Sequence, residues 1–211
     1  MKSYDYSRAG AYFITVCTQD RACSLGEIVN GEMRLNDMGE IVVSVWRAIS
    51  KHFPNVTTDE FIVMPNHIHG IVVIADASVG ATHASPLHAS PLHASPLHAL
   101  RGRTSGPSRG SIGAIIGSFK SAVAKRVNES RGVMGVSVWQ RNYYENVIRN
   151  DDALNHARQY IIDNPAQWAM DRENPEVNKH GAIGADVGAR HASPLRDAVV
   201  CDKLEALGHG G

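Results

Sequence analysis

The sequence predicts an α+β sandwich, with helices packed on one face of a largely antiparallel sheet. Three observations carry this. Strand-like and helix-like segments follow one another in the order β-α-β-β-α-β-α. Two neighbouring strand-like runs meet across Pro65-Asn66, which is turn chemistry and makes them a hairpin. Apolar residues make up 43% of the 211, enough for a real core, whereas charged residues make up 20%.

Taken in order, Tyr12–Thr18 (YFITVCT) is β-branched and aromatic, the signature of a buried strand. From Asp37 to His52 the apolar residues Ile41, Val42, Val45, Trp46 and Ile49 recur at helical spacing, and Asn36 or Asp37 supplies an N-cap. Phe61–Met64 and Ile68–Ile74 are the two arms of the hairpin. A second amphipathic helix is predicted over Ser111 to Asn128, with Ile112, Ile115, Ile116, Phe119 and Val123 on its stripe and Ser111 as N-cap. Tyr143–Arg149 alternates weakly and reads as a strand. Asn150-Asp151-Asp152 opens a last helix, its acids suited to the positive helix end, and Pro165 is expected to close it.

Residues 1–170 form the expected domain, with two segments of different character. Between Ser78 and Pro107 the pentapeptide HASPL occurs three times in tandem, and a fourth copy occupies His191–Leu195. A five-residue period with Pro in each copy fits neither helix nor sheet, so 78–107 is expected to be a disordered inserted loop. Its histidines carry no preformed geometry for a metal. Residues 171–211 are rich in Gly and polar residues and read as a flexible extension, with a short helix possible around Asp202–Leu207. With suitable codons, Gly188–Pro194 is encoded by GGGGCGAGGCACGCCTCGCCC. Its arms GGGCGAGGC and GCCTCGCCC are inverted complements, as expected if copies of a palindromic DNA element have entered the gene.

Composition excludes several classes. Lys plus Arg (21) balances Asp plus Glu (21), so affinity for a polyanion has to come from a local patch. Three cysteines (Cys17, Cys23, Cys201) without CxxC spacing argue against a disulfide framework and a Cys-based zinc site. The start MKSYDYSRAG has no apolar h-region, and no apolar run approaches the roughly 20 residues of a membrane span. A soluble, cytoplasmic protein is expected.

Three groups of residues can carry chemistry. His67 and His69 flank Ile68 on a strand, so both imidazoles are expected to face outward together while Ile68 points into the core. Such a pair is a natural divalent-metal clamp, although HxH also arises in ordinary surface use. On the last helix, His156, Tyr160 and Asn164 stack at i, i+4, i+8, beside the apolar stripe Leu154, Ala157, Ile161. Tyr160 and Asn164 can bring a nucleophilic hydroxyl and an amide oxygen to one ion. By spacing alone, Tyr160 reads equally as a packing residue and Asn164 as a helix terminator before Pro165. Finally, the six cations from Arg101 to Arg126 (Arg101, Arg103, Arg109, Lys120, Lys125, Arg126) come with no acid. They fit a phosphate-binding patch or a solvated helix face.

The blocks FIVMPNHIHGIVVI (Phe61–Ile74), IIGSFKSAVAKRVN (Ile115–Asn128), WQRNYYENVIRNDDAL (Trp139–Leu154) and QYIIDNPAQW (Gln159–Trp168) together resemble the HUH single-tyrosine transposases. The REP-associated tyrosine transposase branch of bacteria is the best match. The resemblance spans roughly Ser7 to Pro175 and rests on the four blocks occurring in this order. It implies a ferredoxin-like (RRM-like) catalytic domain that cuts and rejoins single-stranded DNA beside REP-like hairpins. It further implies His67 and His69 as the HUH metal pair for Mg²⁺ or Mn²⁺, Tyr160 as nucleophile and Asn164 as third ligand. Lys120 matches no catalytic position of the family. With Arg109, Lys125 and Arg126 it stays a candidate DNA contact. The protein is expected to work as a monomer or a homodimer, the tyrosine acting in cis or across subunits.

On this reading attack by Tyr160 gives a 5′-phosphotyrosine and a free 3′-hydroxyl, and conserved bond energy makes rejoining independent of a nucleotide cofactor. Two other readings compete. One is a DNA-hairpin-binding protein without turnover. The other is a metal-dependent phosphodiesterase that uses water as nucleophile.

Overall fold

In the computed structural model, which describes residues 9–76, 108 and 110–180, the chain runs through six strands and five α-helices. β1 (Gly10–Cys17) leads to a small hairpin, β2 (Gly26–Val29) and β3 (Glu32–Leu35). Next come α1 (Asp37–Arg47), the single turn α2 (Ile49–His52), β4 (Val56–Val63) and β5 (His67–Ile74). α3 (Ile112–Ser130), β6 (Tyr144–Ile148), α4 (Asp151–Gln167) and α5 (Pro175–His180) complete it. The HASPL insertion at 78–107, Arg109, Cys201 and the expected helix at 202–207 lie outside the described residues.

β4, β5, β1 and β6 form one sheet in that order, with every neighbouring pair antiparallel. This is the ferredoxin-like α+β arrangement that was expected. Placing β1 centrally sets Phe13 opposite Ile71, Thr15 opposite His69 and Cys17 opposite His67. Strand parity then sorts the side chains. Tyr12, Ile14 and Val16 of β1 join Ile68, Val72 and Ile74 of β5 in the main core, with Val42, Val45 and Trp46 of α1 and Ile115, Phe119 and Val123 of α3. Each large side chain buried there contributes roughly 1.5–3 kcal/mol. So α1 and α3 occupy one face, as predicted. To this the structure adds a cover on the opposite face, where Ala157 and Ile161 of α4 close over Phe13 and Ile71. Arg158 of α4 fastens that cover to β4, donating to both carboxylate oxygens of Asp59 at 3.0 and 2.6 Å.

The caps act as the sequence indicated. Asn36 accepts from the backbone of Met38 and Gly39, Ser111 from Ala114, and Asn150 from Ala153. Four details differ. The helix expected over 37–52 breaks at Ala48, whose N–H turns to Val45 O in a tight i→i−3 bond, and Ile49 stays buried. The β2–β3 hairpin was not anticipated, although its Asn30-Gly31 turn is the strongest short hairpin signal. Both residues take positive φ (54° and 79°), as a type I′ turn requires. Pro165 does not end α4. The helix runs two residues past it to Gln167 without its i→i−4 bond, and Pro165 is itself buried. Lastly, the expected flexible extension does not begin at 171. Asp171 to Asn174 turn back over the sheet, and Asn174 caps α5 by accepting from the Glu176 N–H.

Gly70 marks where the two faces constrain each other. It lies on the histidine strand, directly after His69, but faces the main core, where a Cβ would run into the Trp46 ring. That ring stacks on Phe61 with centroids 4.5 Å apart.

Candidate active site

On the α4 face, β5 presents His67 and His69, and β1 presents Thr15 and Cys17. The sequence placed both imidazoles on one face with Ile68 opposite, and the structure agrees. It differs in one respect: α4 and the turn after it cover that face, so the rings are buried (0% and 4% exposed) instead of facing outward. Their Nε2 atoms lie 3.0 Å apart.

Each ring is held from behind. Asn66, in the turn between β4 and β5, donates through Nδ2 to Arg21 O (3.2 Å) and Glu173 O (2.6 Å). Its Oδ1 is therefore the acceptor for His67 Nδ1–H at 2.8 Å. This fixes the tautomer and leaves a lone pair on His67 Nε2, directed at His69. His69 Nδ1 lies 2.9 Å from Thr15 Oγ1, and its ring stacks on Phe13 at 5.3 Å.

α4 lays its polar face over this pair. Tyr160 Oη is 3.4 Å from His69 Nε2, in the same chain, and its ring meets His69 and Phe13 edge-on. Asn164, one turn on and buried, hydrogen-bonds the Tyr160 hydroxyl and the Asp171 carboxylate. Its Oδ1 is buried and has no partner among the described residues. Asp171 Oδ2 lies 4.0 Å from His67 Nε2. The turn is tied down by Glu173, whose carboxylate meets Arg21 at 2.6 Å and accepts from Cys17 Sγ at 3.7 Å.

Burial sets the electrostatics. It lowers His69 to about 3, and drives His67 well below the usual imidazole range with help from His69 and Arg21. Both rings are thus neutral, with lone pairs free to ligate. Burial, reinforced by the Asp171 charge, lifts the Tyr160 phenol to about 12, against a small opposing effect of the Asn164 hydrogen bond. Asp171 is raised by burial, partly offset by bonds from the Glu173 N–H and Asn164. The Cys17 thiol rises to about 12, first by burial and then by Glu173, which makes it an inert thiol.

The donor set fits a divalent cation: two neutral imidazoles oriented by their own hydrogen bonds, and a buried amide oxygen that nothing satisfies. Among the described residues no three His, Cys, Asp or Glu side chains gather around a metal position. The third donor here is an amide.

Of the expected site residues, His67, His69, Tyr160 and Asn164 come together. His156 is exposed and stays apart from them. Lys125 and Arg126 are not brought to this centre, for they ride on α3 across the sheet. Lys125 pairs with Glu129 at 3.9 Å, and Arg126 reaches Ser44 of α1 at 3.4 Å. Lys120 donates to the carbonyls of Gln140, Arg141 and Asn142 at 2.5, 2.9 and 3.4 Å, bracing the approach to β6. A phosphate there has to displace one of these carbonyls. Sequence reasoning missed Thr15, Asn66 and Asp171. Thr15 was detectable as a polar residue of the same parity as Phe13 in an apolar strand. Asp171 gave no periodic signal.

No protein-family model matches the chain. Among solved structures it is similar to a REP-associated tyrosine transposase bound to a REP hairpin: 17% identity, TM-score 0.47, covering 87% of this chain and 76% of that one. It is also similar to a candidate transposase from Deinococcus radiodurans R1: 15% identity, TM-score 0.39, covering 77% and 96%. In sequence it is 37% identical over 175 residues to an uncharacterized protein of Haemophilus influenzae (strain Rd), spanning 82% of this chain and 89% of that protein. At that identity and coverage, the chain belongs to the same family as the Haemophilus influenzae protein.

Proposed function

We propose that the protein is a metal-dependent single-stranded DNA endonuclease and strand transferase, a tyrosine transposase that acts beside DNA hairpins. The observation that carries this reading is the convergence, in one chain, of the Tyr160 hydroxyl, two neutral imidazoles with facing Nε2 atoms and an unsatisfied amide oxygen. A water-using phosphodiesterase has no need of a phenol at that point. The four ordered sequence blocks resembling HUH single-tyrosine transposases point the same way.

His67, His69 and Asn164 are the residues that would hold Mg²⁺ or Mn²⁺. A divalent cation there supplies charge neutralisation at a phosphodiester and eases loss of the phenol proton. Tyr160 attacks phosphorus, the bond to the 3′ oxygen breaks, and the departing oxygen takes a proton to become a 3′-hydroxyl. The DNA stays joined to Tyr160 through its 5′ phosphate. Rejoining is the reverse, with an incoming 3′-hydroxyl as nucleophile. Phe13 and His69 hold the ring edge-on, and Asn164 aims the hydroxyl through its hydrogen bond. With its pKa at about 12 the phenol is protonated at neutral pH, so attack depends on positive charge beside it.

The test is incubation of labelled hairpin-bearing single strands with the protein and Mn²⁺, followed by denaturing electrophoresis. A covalent protein–DNA band is expected, absent in Tyr160→Phe. Cleavage that survives Tyr160→Phe favours water as nucleophile. Hairpin binding with neither cleavage nor adduct favours a binding protein without turnover.

A further inference from the structure

We infer that Arg21 binds a backbone phosphate of the DNA at this site, its guanidinium exchanging the Glu173 carboxylate for phosphate oxygens. The inference rests on the DNA-binding part of the proposed function. It adds a residue that lies outside the four sequence blocks.

Placement carries it. A strand led to Tyr160 brings several phosphates with it, and these call for a cation at the rim of the site. Lys125 and Arg126 lie across the sheet, and Lys120 is engaged by three backbone carbonyls. Arg21 stands beside the histidines instead. Its carbonyl accepts from Asn66 Nδ2 at 3.2 Å, while Asn66 Oδ1 holds the His67 ring at 2.8 Å. One amide therefore sets the Arg21 backbone and the His67 imidazole in fixed relation. The Arg21 charge is felt at His67, Cys17 and Asp171.

The backbone supports the same reading. Asp20 and Arg21 both take positive φ (55° and 54°), a region uncommon for residues other than glycine. The turn is kept in that shape by three bonds: Arg21 N–H to Thr18 O (3.1 Å), Ala22 N–H to Gln19 O (3.2 Å) and Thr18 Oγ1 to Ala22 O (2.8 Å). Strain held this firmly beside reactive groups serves to fix where a side chain points.

The side chain is also available. It is 33% exposed, and Nη1 meets Glu173 Oε2 at 2.6 Å. A planar fork of donors suits phosphate oxygens as well as it suits a carboxylate, so one anion can replace the other. The turn after α4 keeps other ties when that pair opens. Glu173 O still accepts from Asn66 Nδ2 at 2.6 Å, and the Glu173 N–H still donates to Asp171 Oδ1 at 2.7 Å.

The test is fluorescence anisotropy of a labelled hairpin-bearing single strand with the full-length protein, metal-free, over a series of salt concentrations. Arg21→Ala should weaken binding by about ten-fold and make the slope of log K against log salt shallower by about 1. Arg21→Lys should keep the slope and recover part of the affinity. Glu173→Gln removes the ion pair but leaves the cation, and should bind at least as tightly as wild type. Thermal melting checks that the variants fold. If Arg21→Ala does not, Arg21→Gln is read in the same way. A folded neutral variant that binds within about two-fold of wild type, with an unchanged slope, overturns the inference. So does a loss in Glu173→Gln equal to that in Arg21→Ala, which would show that Arg21 only pins the turn. A wild-type protein that fails to bind the strand defeats the DNA reading and this inference with it. The expected binding pattern without a covalent adduct in Mn²⁺ counts against strand transfer alone and supports the role of Arg21.

Discussion

Along β1, alternate residues enter two different worlds. Tyr12, Ile14 and Val16 join a large apolar core under α1 and α3. Phe13, Thr15 and Cys17 face α4 across a much smaller apolar cluster that borders the two histidines. The first face holds the fold together and offers no chemistry. The second sacrifices burial of apolar area to collect groups that water would otherwise satisfy: two imidazoles, an orphaned amide oxygen and a carboxylate. One sheet can do both because strand parity keeps the two sets apart by a single residue. Ile68 and Gly70 serve the core, and His67 and His69 serve the site.

This contrast can be broken by substitution. The largest effect is expected at His69→Ala, which should abolish formation of the covalent DNA adduct while leaving a cooperative thermal transition. An adduct of wild-type yield would show that the imidazole pair has no part in the chemistry. Next, Ile68→Ala between the two histidines should cost about 2–5 kcal/mol in denaturant unfolding, since a fully buried side chain is lost from the dense face. Gly70→Ala forces a methyl into the Trp46 ring and should cost about 1–3 kcal/mol. Neither should change the metal requirement of the folded fraction.

A third prediction concerns the ion. Mn²⁺ at about 100 times its dissociation constant should stabilise the protein by about 2.7 kcal/mol, and a chelator should reverse this. The rise in Tm should vanish in His67→Ala and persist in Val72→Ala, which lies in the other core. The smallest effect belongs to the Asp59–Arg158 pair that fastens α4 to β4. Asp59 is held below the usual carboxylate range, first by its hydrogen bond from Arg158. The unfolded chain therefore takes up this proton first as acid is added. The contribution is complete above about pH 4 and is lost as pH falls through the lowered value. Asp59→Asn should lower Tm slightly at pH 7 and leave it unchanged at the acid end.

Much of this arrangement was legible in the sequence. The strands of the main sheet, the long helices and three caps followed from periodicity and capping chemistry, since each is a local property. The parity of His67, Ile68 and His69 followed from a period of two. Tyr160 and Asn164 were placed on one helix face by spacing, although that alone did not separate catalysis from packing. What was not legible is long-range. Nothing local reveals that α4 covers the sheet's second face, which turns two outward-facing histidines into buried, neutral ones. The part played by residues 171–174 was hidden for the same reason. Their polar, Gly-rich surroundings read as a tail, and the bonds that order them, from Arg21 and Asn66 to Glu173, span most of the chain. Helix continuation through Pro165 was missed because the burial of Pro165 within the fold is a long-range contact, whereas the rule against proline is a local one.

The central claim is that the phenol of Tyr160 is the group that takes the DNA. Its most direct test is trypsin digestion of the purified protein–DNA adduct and mass spectrometry of the peptide Gln159–Arg172. The account predicts nucleotide mass on Tyr160, linked through a 5′ phosphate and sensitive to phosphotyrosyl hydrolysis. Nucleotide mass on Tyr143 or Tyr144 instead, or DNA cut by Mn²⁺-loaded protein with that peptide unmodified, would contradict it.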